Sequence, residues 1–303
     1  MSTIERALAK KKASRIHEVE LESALEKNIE QKNEAEQPEI ANPQINTPIS
    51  SLEQTNCLEI NLAKLAYNDY IVPETMADNR ALQEQFRQIK RKLLNNAFGV
   101  VSRTLDNPNL IMVTSAKADE GKTYIAINLA LSIALEQDKK VLLIDADVLK
   151  PSVIYEFGRS GKSGLIEYLL GEKEQVSDII YHTNIDNLKF IPAGTPNYLS
   201  NELLASERMA TLAKELSTRY PDRVVIFDSP PLLGVTETSV LARLMGQVLI
   251  VAEENKTSVN QVNQACLLLP DELAKGLVIN KAINSQKELY GYYGYGYGNK
   301  PEN

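Results

Sequence analysis

Cysteine, histidine and long apolar runs are scarce in this 303-residue chain, and each scarcity closes off a class of protein. Two cysteines, Cys57 and Cys266, are too few and too far apart for a disulfide framework or a Cys-rich zinc site. Both fit a reducing compartment. Two histidines, His17 and His182, leave little for a His-based metal centre. No run reaches the ~18–20 apolar residues that cross a bilayer. The opening Met1-Ser2-Thr3-Ile4-Glu5-Arg6 has no apolar signal core. The expectation is a cytoplasmic chain that does not insert itself into a membrane. Positive charge is also in deficit: 33 Lys and Arg against 40 Asp and Glu give −7. Such a balance argues against sequence-independent nucleic-acid binding.

Aromatic residues are missing until Tyr67, so the first fifth of the chain has little with which to build a core. Ser2 and Glu5 form a capping-box pattern, and a second helical stretch runs from Val19 to Ile29. Residues 30–55 are rich in Gln, Asn, Glu, Pro and Ser and read as a solvated linker. Residues 1–56 are therefore expected to be a helical and disordered segment, ahead of a domain over 57–285 and a tail over 286–303.

From Asn109 the pattern becomes alternating strands and helices. Leu110 to Thr114, Val141 to Ile144, Leu188 to Ile191, Val224 to Phe227, Val248 to Val251 and Leu277 to Ile279 read as strands. Lys122 to Glu136 reads as a helix with an apolar stripe of Ala126, Leu129, Ile133 and Leu135, and Asn201 to Arg219 as one long helix. The alternation predicts an α/β fold with a mostly parallel sheet and helices on both faces. Ligands in such sheets bind at the carboxyl ends of the strands.

Three motifs fall there. Ala116-Lys117-Ala118-Asp119-Glu120-Gly121-Lys122-Thr123 has the phosphate-loop spacing GxxxxGK[ST], with Ala116 in place of the first glycine. Such a loop points backbone N–H groups at phosphate beside a helix N-terminus. Gly121 allows close approach, Lys122 reaches the β- and γ-phosphates, and Thr123 offers its hydroxyl to Mg²⁺. Asp119 and Glu120 are unusual, because acids here repel a triphosphate unless they point outward. Second, Leu142-Leu143-Ile144-Asp145-Ala146-Asp147 ends an apolar strand in two carboxylates that alternation places on one face. Such a pair suits a Mg²⁺ shell and acceptance of a proton from a hydroxyl. Third, Val225-Ile226-Phe227-Asp228 delivers Asp228 to a metal's water shell. The tail then holds Tyr290, Tyr292, Tyr293, Tyr295 and Tyr297, five of the chain's 13 tyrosines, interleaved with four of its 14 glycines. Glycine at this density opposes a stable helix. A flexible rope of phenols beside a phosphate loop reads as a substrate.

The three motifs, their order and the Tyr-rich tail resemble the bacterial tyrosine autokinases (BY-kinases), a deviant-Walker branch of the P-loop NTPase fold. Several stretches resemble the tyrosine autokinases of exopolysaccharide (PEP-CTERM) loci: Ser2 to Leu8, Ile89-Lys90-Arg91 with Leu93 to Gly99, Asn109 to Ser115, Pro192 to Pro196 and Tyr220 to Arg223. The resemblance implies an ATP- and Mg²⁺-dependent protein-tyrosine kinase that phosphorylates its own tail and regulates exopolysaccharide synthesis or export. It implies nucleotide contacts from Ala116 through Thr123 and from Tyr124 and Asn280. Thr123, Asp145 and Asp228 would serve the metal. Lys122, Asp145, Asp147 and Asp228 would serve catalysis, with the roles of the paired acids exchangeable. The family's EX2RX2R helix, which mediates subunit contact, reads here Glu84, Arg87 and Lys90, with lysine for the last arginine. A homo-oligomer, in a ring or head to tail, follows from it. So do a membrane polysaccharide co-polymerase (chain-length determinant) partner that recruits the chain to the membrane, and a tyrosine phosphatase. The family's arginine two residues after the second acid is Leu149 here. Two other readings compete. Lys117 sits where septum-site and partition ATPases carry a signature lysine, which would make the chain a dimeric switch. The acids of the loop would make it a scaffold with a degenerate site.

Overall fold

Short apolar runs of four to seven residues, each followed by enough chain to cross a sheet face and return, assemble as parallel strands. In the computed structural model, which describes residues 56–72, 80–219 and 222–282, they do so in a single sheet. The chain runs through β1 (Cys57–Leu58), α1 (Leu62–Tyr67), α2 (Arg80–Phe98), β2 (Leu110–Ser115), α3 (Lys122–Ala134), β3 (Lys140–Asp145), α4 (Val153–Glu156) and α5 (Leu165–Leu170). It continues through β4 (Tyr181–Thr183), β5 (Leu188–Ile191), α6 (Ser200–Leu204), α7 (Glu207–Arg219), β6 (Arg223–Asp228), α8 (Thr236–Ala242), β7 (Gln247–Glu253), α9 (Val259–Leu267) and β8 (Ala274–Asn280). Among the described residues the strand order is β1-β4-β5-β3-β6-β2-β7-β8. Every neighbouring pair is parallel except β4 and β5.

The pleat sends alternate side chains to opposite faces. Leu142, Ile144, Val225 and Phe227 join Leu212 and Leu216 of α7 in one apolar layer. Val141, Leu143, Val224 and Ile226 join Leu129 and Ile133 of α3 in the other. The α/β sheet expected from the sequence is therefore present, with helices on both faces.

Three local expectations need correction. The helix from Lys122 has no single apolar stripe: every residue from Ile125 to Ala134 is buried. It lies between the sheet and α2, so it must be apolar nearly all round. Leu135, read as part of the stripe, is 46% exposed and follows the last turn. The expected long helix from Asn201 to Arg219 is two helices, α6 and α7. The Ser206 hydroxyl donates to Leu203 O at 2.7 Å and accepts from Met209 N–H at 3.2 Å. Serine competes with the helical ladder in this way and starts a new helix.

The third correction concerns α2. Glu84 and Arg87 pair with each other on its exposed face, as spacing of three predicts. Lys90 does not lie with them. It is 7% exposed, donates through Nζ to Ser132 O at 2.9 Å and pairs with Glu136. It straps α2 to the end of α3 rather than extending an exposed charged stripe. Lys90→Ala would leave a buried carbonyl without its charged donor. It should therefore lower unfolding free energy by about 1.5–3 kcal/mol. Arg87→Ala, which loses an exposed pair, should cost less than about 1 kcal/mol. Urea denaturation of the two variants checks the contrast.

Candidate functional site

Strand β2 is buried along its whole length and ends at Ser115, where the chain turns into the phosphate loop. Gly121 caps α3 with φ +93°, and a Cβ there would fall 2.0 Å from Asn280 Nδ2. Only glycine fits that position. Asn280 lies at the end of β8 and donates through Nδ2 to Glu120 O at 2.9 Å. Lys281 donates to Asp119 O at 2.6 Å. Ala116 is fully buried, and its carbonyl accepts from Leu233 N–H at 3.1 Å.

The two acids of the loop behave differently. Asp119 is exposed, with φ +66°. Glu120 is not turned outward: it is 4% exposed and folded beneath the loop. One carboxylate oxygen accepts from Lys117 N–H at 2.9 Å and the other from the Thr257 hydroxyl. Glu120 is thus an internal brace, which removes the objection that it would face a triphosphate. Lys117 and Ala118 are exposed beside it.

The paired register of β3 and β6 sets Asp145 directly opposite Asp228. Neither is exposed to solvent. Asp145 Oδ2 accepts from Ser152 N–H at 3.1 Å and Val153 N–H at 3.0 Å. Asp228 Oδ2 accepts from the Thr123 hydroxyl at 2.7 Å. The Oδ1 atom of each is buried without a hydrogen-bond partner. Lys122 Nζ stands 2.7 Å from Asp147 Oδ2, and Asp147 Oδ1 accepts from Lys150 N–H at 3.1 Å. Asp147, Lys122, Thr123, Leu149 and Ser152 line a cleft of about 510 Å³ beside the loop.

Burial raises the Asp228 pKa to about 6, against the pull of Lys122 and the Thr123 hydroxyl. Burial also pushes Asp145 well above the ordinary carboxylate value, and the charge of Asp228 pushes it the same way. Burial lowers the Lys122 pKa, but Asp228 and Asp147 outweigh it and leave the ammonium firmly charged.

Two buried carboxylate oxygens without partners, next to a hydroxyl, are hard donors of the kind Mg²⁺ takes. Among the described residues no group of three or more His, Cys, Asp or Glu forms a cage. That fits Mg²⁺, which is held by one or two carboxylates with phosphates and water. The residues present fit Mg²⁺ with a nucleotide.

Tyr124 is placed away from this centre. Its hydroxyl donates to Asp69 O at 3.0 Å, and its ring packs 5.1 Å from that of Tyr70. Ser152, which sequence reading missed, bonds the Thr123 hydroxyl at 2.9 Å and supports Asp145 through its N–H. A serine at the N-cap of a short helix is the signal that could have found it. The tyrosines at 290–297 lie outside the described residues.

A phosphate loop opening a buried helix, with acids at the ends of the paired strands β3 and β6, defines a P-loop nucleotide-binding protein. Residues 108–274 match a family model described as an AAA domain. The tyrosine-protein kinase YwqD of Bacillus subtilis is 35% identical over 213 residues, covering 70% of this chain and 86% of that one. The tyrosine-protein kinase Etk of Escherichia coli is 34% identical over 186 residues, covering 61% of this chain but 25% of the relative. The solved kinase domain of Etk shares the fold with a TM-score of 0.62 at 29% identity, over 76% of this chain and 86% of that one. The septum-site-determining protein MinD of Pyrococcus horikoshii shares the fold alone, at 22% identity and a TM-score of 0.50 over 59% of this chain and 72% of that one. The chain belongs to the bacterial tyrosine kinases, and the switch reading is not favoured.

The raised carboxylates have a consequence for stability. Between the unfolded value near 4 and about 6, the folded state binds more protons than the unfolded state. This contribution therefore makes stability fall as pH rises through that window. Asp228→Asn removes it. Without metal or nucleotide, that variant should be more stable than the wild type at pH 7, by on the order of 2 kcal/mol. The difference should shrink toward pH 4. Thermal unfolding across pH checks the sign.

Proposed function

We propose that the chain transfers the γ-phosphoryl group of ATP to tyrosine hydroxyls of its own tail, Tyr290, Tyr292, Tyr293, Tyr295 and Tyr297. The observation that carries this reading is the pair of unpartnered oxygens on Asp145 and Asp228, set beside Thr123 and Lys122 at a helix N-terminus. Mg²⁺, when bound, would supply positive charge against the phosphate charge that develops during transfer. Thr123, Asp145 and Asp228 would hold it, partly through water. The loop from Ala116 to Gly121, with Lys122, would bind the phosphates. Asn280 acts on the loop by holding Glu120 O, and Tyr124 by anchoring α3.

A phenol with pKa ~10 is protonated at neutral pH and needs an acceptor. Asp147 is the better candidate because it lines the cleft, whereas Asp145 is sealed beneath it. Its Oδ1 is fixed by Lys150 N–H, which leaves Oδ2, the atom on Lys122, to change partner. The phenolic oxygen then bonds to the γ-phosphorus, the bond from that phosphorus to the bridging oxygen breaks, and the phenolic proton passes to Asp147. ADP leaves.

The family membership supports a place in control of exopolysaccharide synthesis or export. Glu84 and Arg87, exposed on α2, are the subunit contact in this reading, within a ring or head-to-tail oligomer that brings one copy's tail to the next copy's cleft. Lys90 is occupied internally and does not share in it. Each phosphotyrosine adds about −1.5 to −2 charge. Several, beside Asp145, Asp147 and Asp228, would eject the tail and loosen the assembly. No helix among the described residues is long and apolar enough to cross a membrane. A cytoplasmic chain recruited by a membrane polysaccharide co-polymerase, and reset by a tyrosine phosphatase, fits.

Incubation of the full chain with ATP and Mg²⁺, followed by phosphotyrosine detection and mass spectrometry, tests the reading. Label should map to residues 290–297 and vanish in Lys122→Ala while circular dichroism is unchanged. ATP turnover without phosphotyrosine would overturn it in favour of a switch. Light scattering should find Lys122→Ala and phosphatase-treated wild type larger than the phosphorylated protein.

A further inference from the structure

The cleft beside the phosphate loop has an apolar side for which a phosphoryl group has no use. Leu149, Pro231 and Val235 line it together with Lys122, Thr123 and Asp147. Leu149 is 48% exposed, and Pro231 and Val235 are half-buried. All three therefore keep apolar surface outside the core.

The backbone explains why they meet. Strands β3 and β6 are paired neighbours that end in Asp145 and Asp228. The chain leaving β3 carries Asp147 and, two residues on, Leu149. The chain leaving β6 carries Pro231 and Val235, and it is tied to the strand and loop beside it. The Thr114 hydroxyl donates to Pro230 O at 2.7 Å. Leu232 N–H donates to Ser115 O at 2.8 Å, and Leu233 N–H to Ala116 O at 3.1 Å. Each acid-bearing strand thus sends apolar residues back into one cleft, and the loop after β6 is held in place before any ligand arrives.

The polar groups of the cleft have their own duties. Lys122 is bound to Asp147, Thr123 bonds Ser152, and Lys281 pairs with Glu253 and holds Asp119 O. What remains for an incoming group to cover is the apolar wall. Its position along the nucleotide decides which group that is. A phosphate-loop lysine serves the β- and γ-phosphates. Lys122 is 2.7 Å from Asp147, so Asp147 and Leu149 stand at the γ end. The nucleoside hangs from the other end of the triphosphate. A group that brings a hydroxyl to Asp147 and rests a flat apolar body on the wall is a phenol, which carries its hydroxyl at the tip of the ring. Serine and threonine hold theirs next to the backbone and have no ring to place there.

We propose that Leu149, Pro231 and Val235 form the subsite that holds the ring of the acceptor tyrosine. The subsite rests on the reading of the chain as a tyrosine kinase and names the residues that seat its acceptor. Leucine stands at 149 where the family's motif has arginine, so this wall is a property of this chain.

The test uses the full chain, incubated first with ATP and Mg²⁺ so that its own tail is already occupied. A peptide of residues 288–299 is then the acceptor, with its phosphotyrosine read by mass spectrometry. Leu149→Ser and Val235→Ser should each raise the peptide KM about tenfold, through loss of apolar cover on the ring. The kcat and the KM for ATP should stay at wild-type values, because the contact is the same before and during transfer. Leu149→Met keeps the volume and the apolar surface and should restore the peptide KM. A peptide KM equal to wild type in both serine variants would overturn the subsite. So would a rise confined to the KM for ATP, which would give the wall to the nucleobase, or a fall in kcat that Leu149→Met shares. A wild type that leaves the peptide unlabelled would overturn the kinase reading itself, and the subsite with it.

Discussion

Two carboxylates that face each other in the interior govern the design of this protein. Parallel pairing of β3 and β6 in one register brings Asp145 and Asp228 to adjacent strand ends, both without solvent. Repulsion between them is costly in a medium that screens poorly. The structure answers it with one ammonium, Lys122, one hydroxyl, Thr123, and two backbone N–H groups from the start of α4. These come from elements that are themselves fixed, α3 by burial on nearly every side and α4 by the chain following Asp147. The apolar layers on both sheet faces supply the stability that keeps this charge imbalance in place. A divalent cation with phosphates would relieve it, which is the ground for proposing that these acids serve a nucleotide rather than a structural ion pair.

The phosphate loop is built in an unusual way from ordinary parts. Glu120 would oppose phosphate if it pointed into the nucleotide side of the loop, yet it turns under the loop and satisfies Lys117 N–H and the Thr257 hydroxyl. Asn280 and Lys281 hold the carbonyls of Glu120 and Asp119. The loop is therefore stitched to the end of β8.

The strands that carry the acids were legible because each is a short, continuous apolar run ending in Asp, a pattern with few other outcomes in an alternating α/β chain. The loop was legible from its spacing and from the strand before it. What escaped were features set by tertiary contact. Lys90 reads as surface charge by helical spacing, but α3 ends where its ammonium reaches Ser132 O and Glu136. Ser206 breaks a helix that propensity would continue. Ser152 gains its role only when α4 folds back over Asp145. Strands β1 and β4, of two and three residues, have no periodicity to read.

The central claim is that the buried acids are relieved by nucleotide and divalent cation together. Thermal unfolding of the full chain with saturating ADP, in Mg²⁺ or in EDTA, tests it most directly. The account predicts a clear rise in the unfolding midpoint with Mg²⁺ and ADP, most of it lost in EDTA and in Asp228→Asn. Equal stabilisation by ADP in Mg²⁺ and in EDTA, or no stabilisation in either, would contradict it.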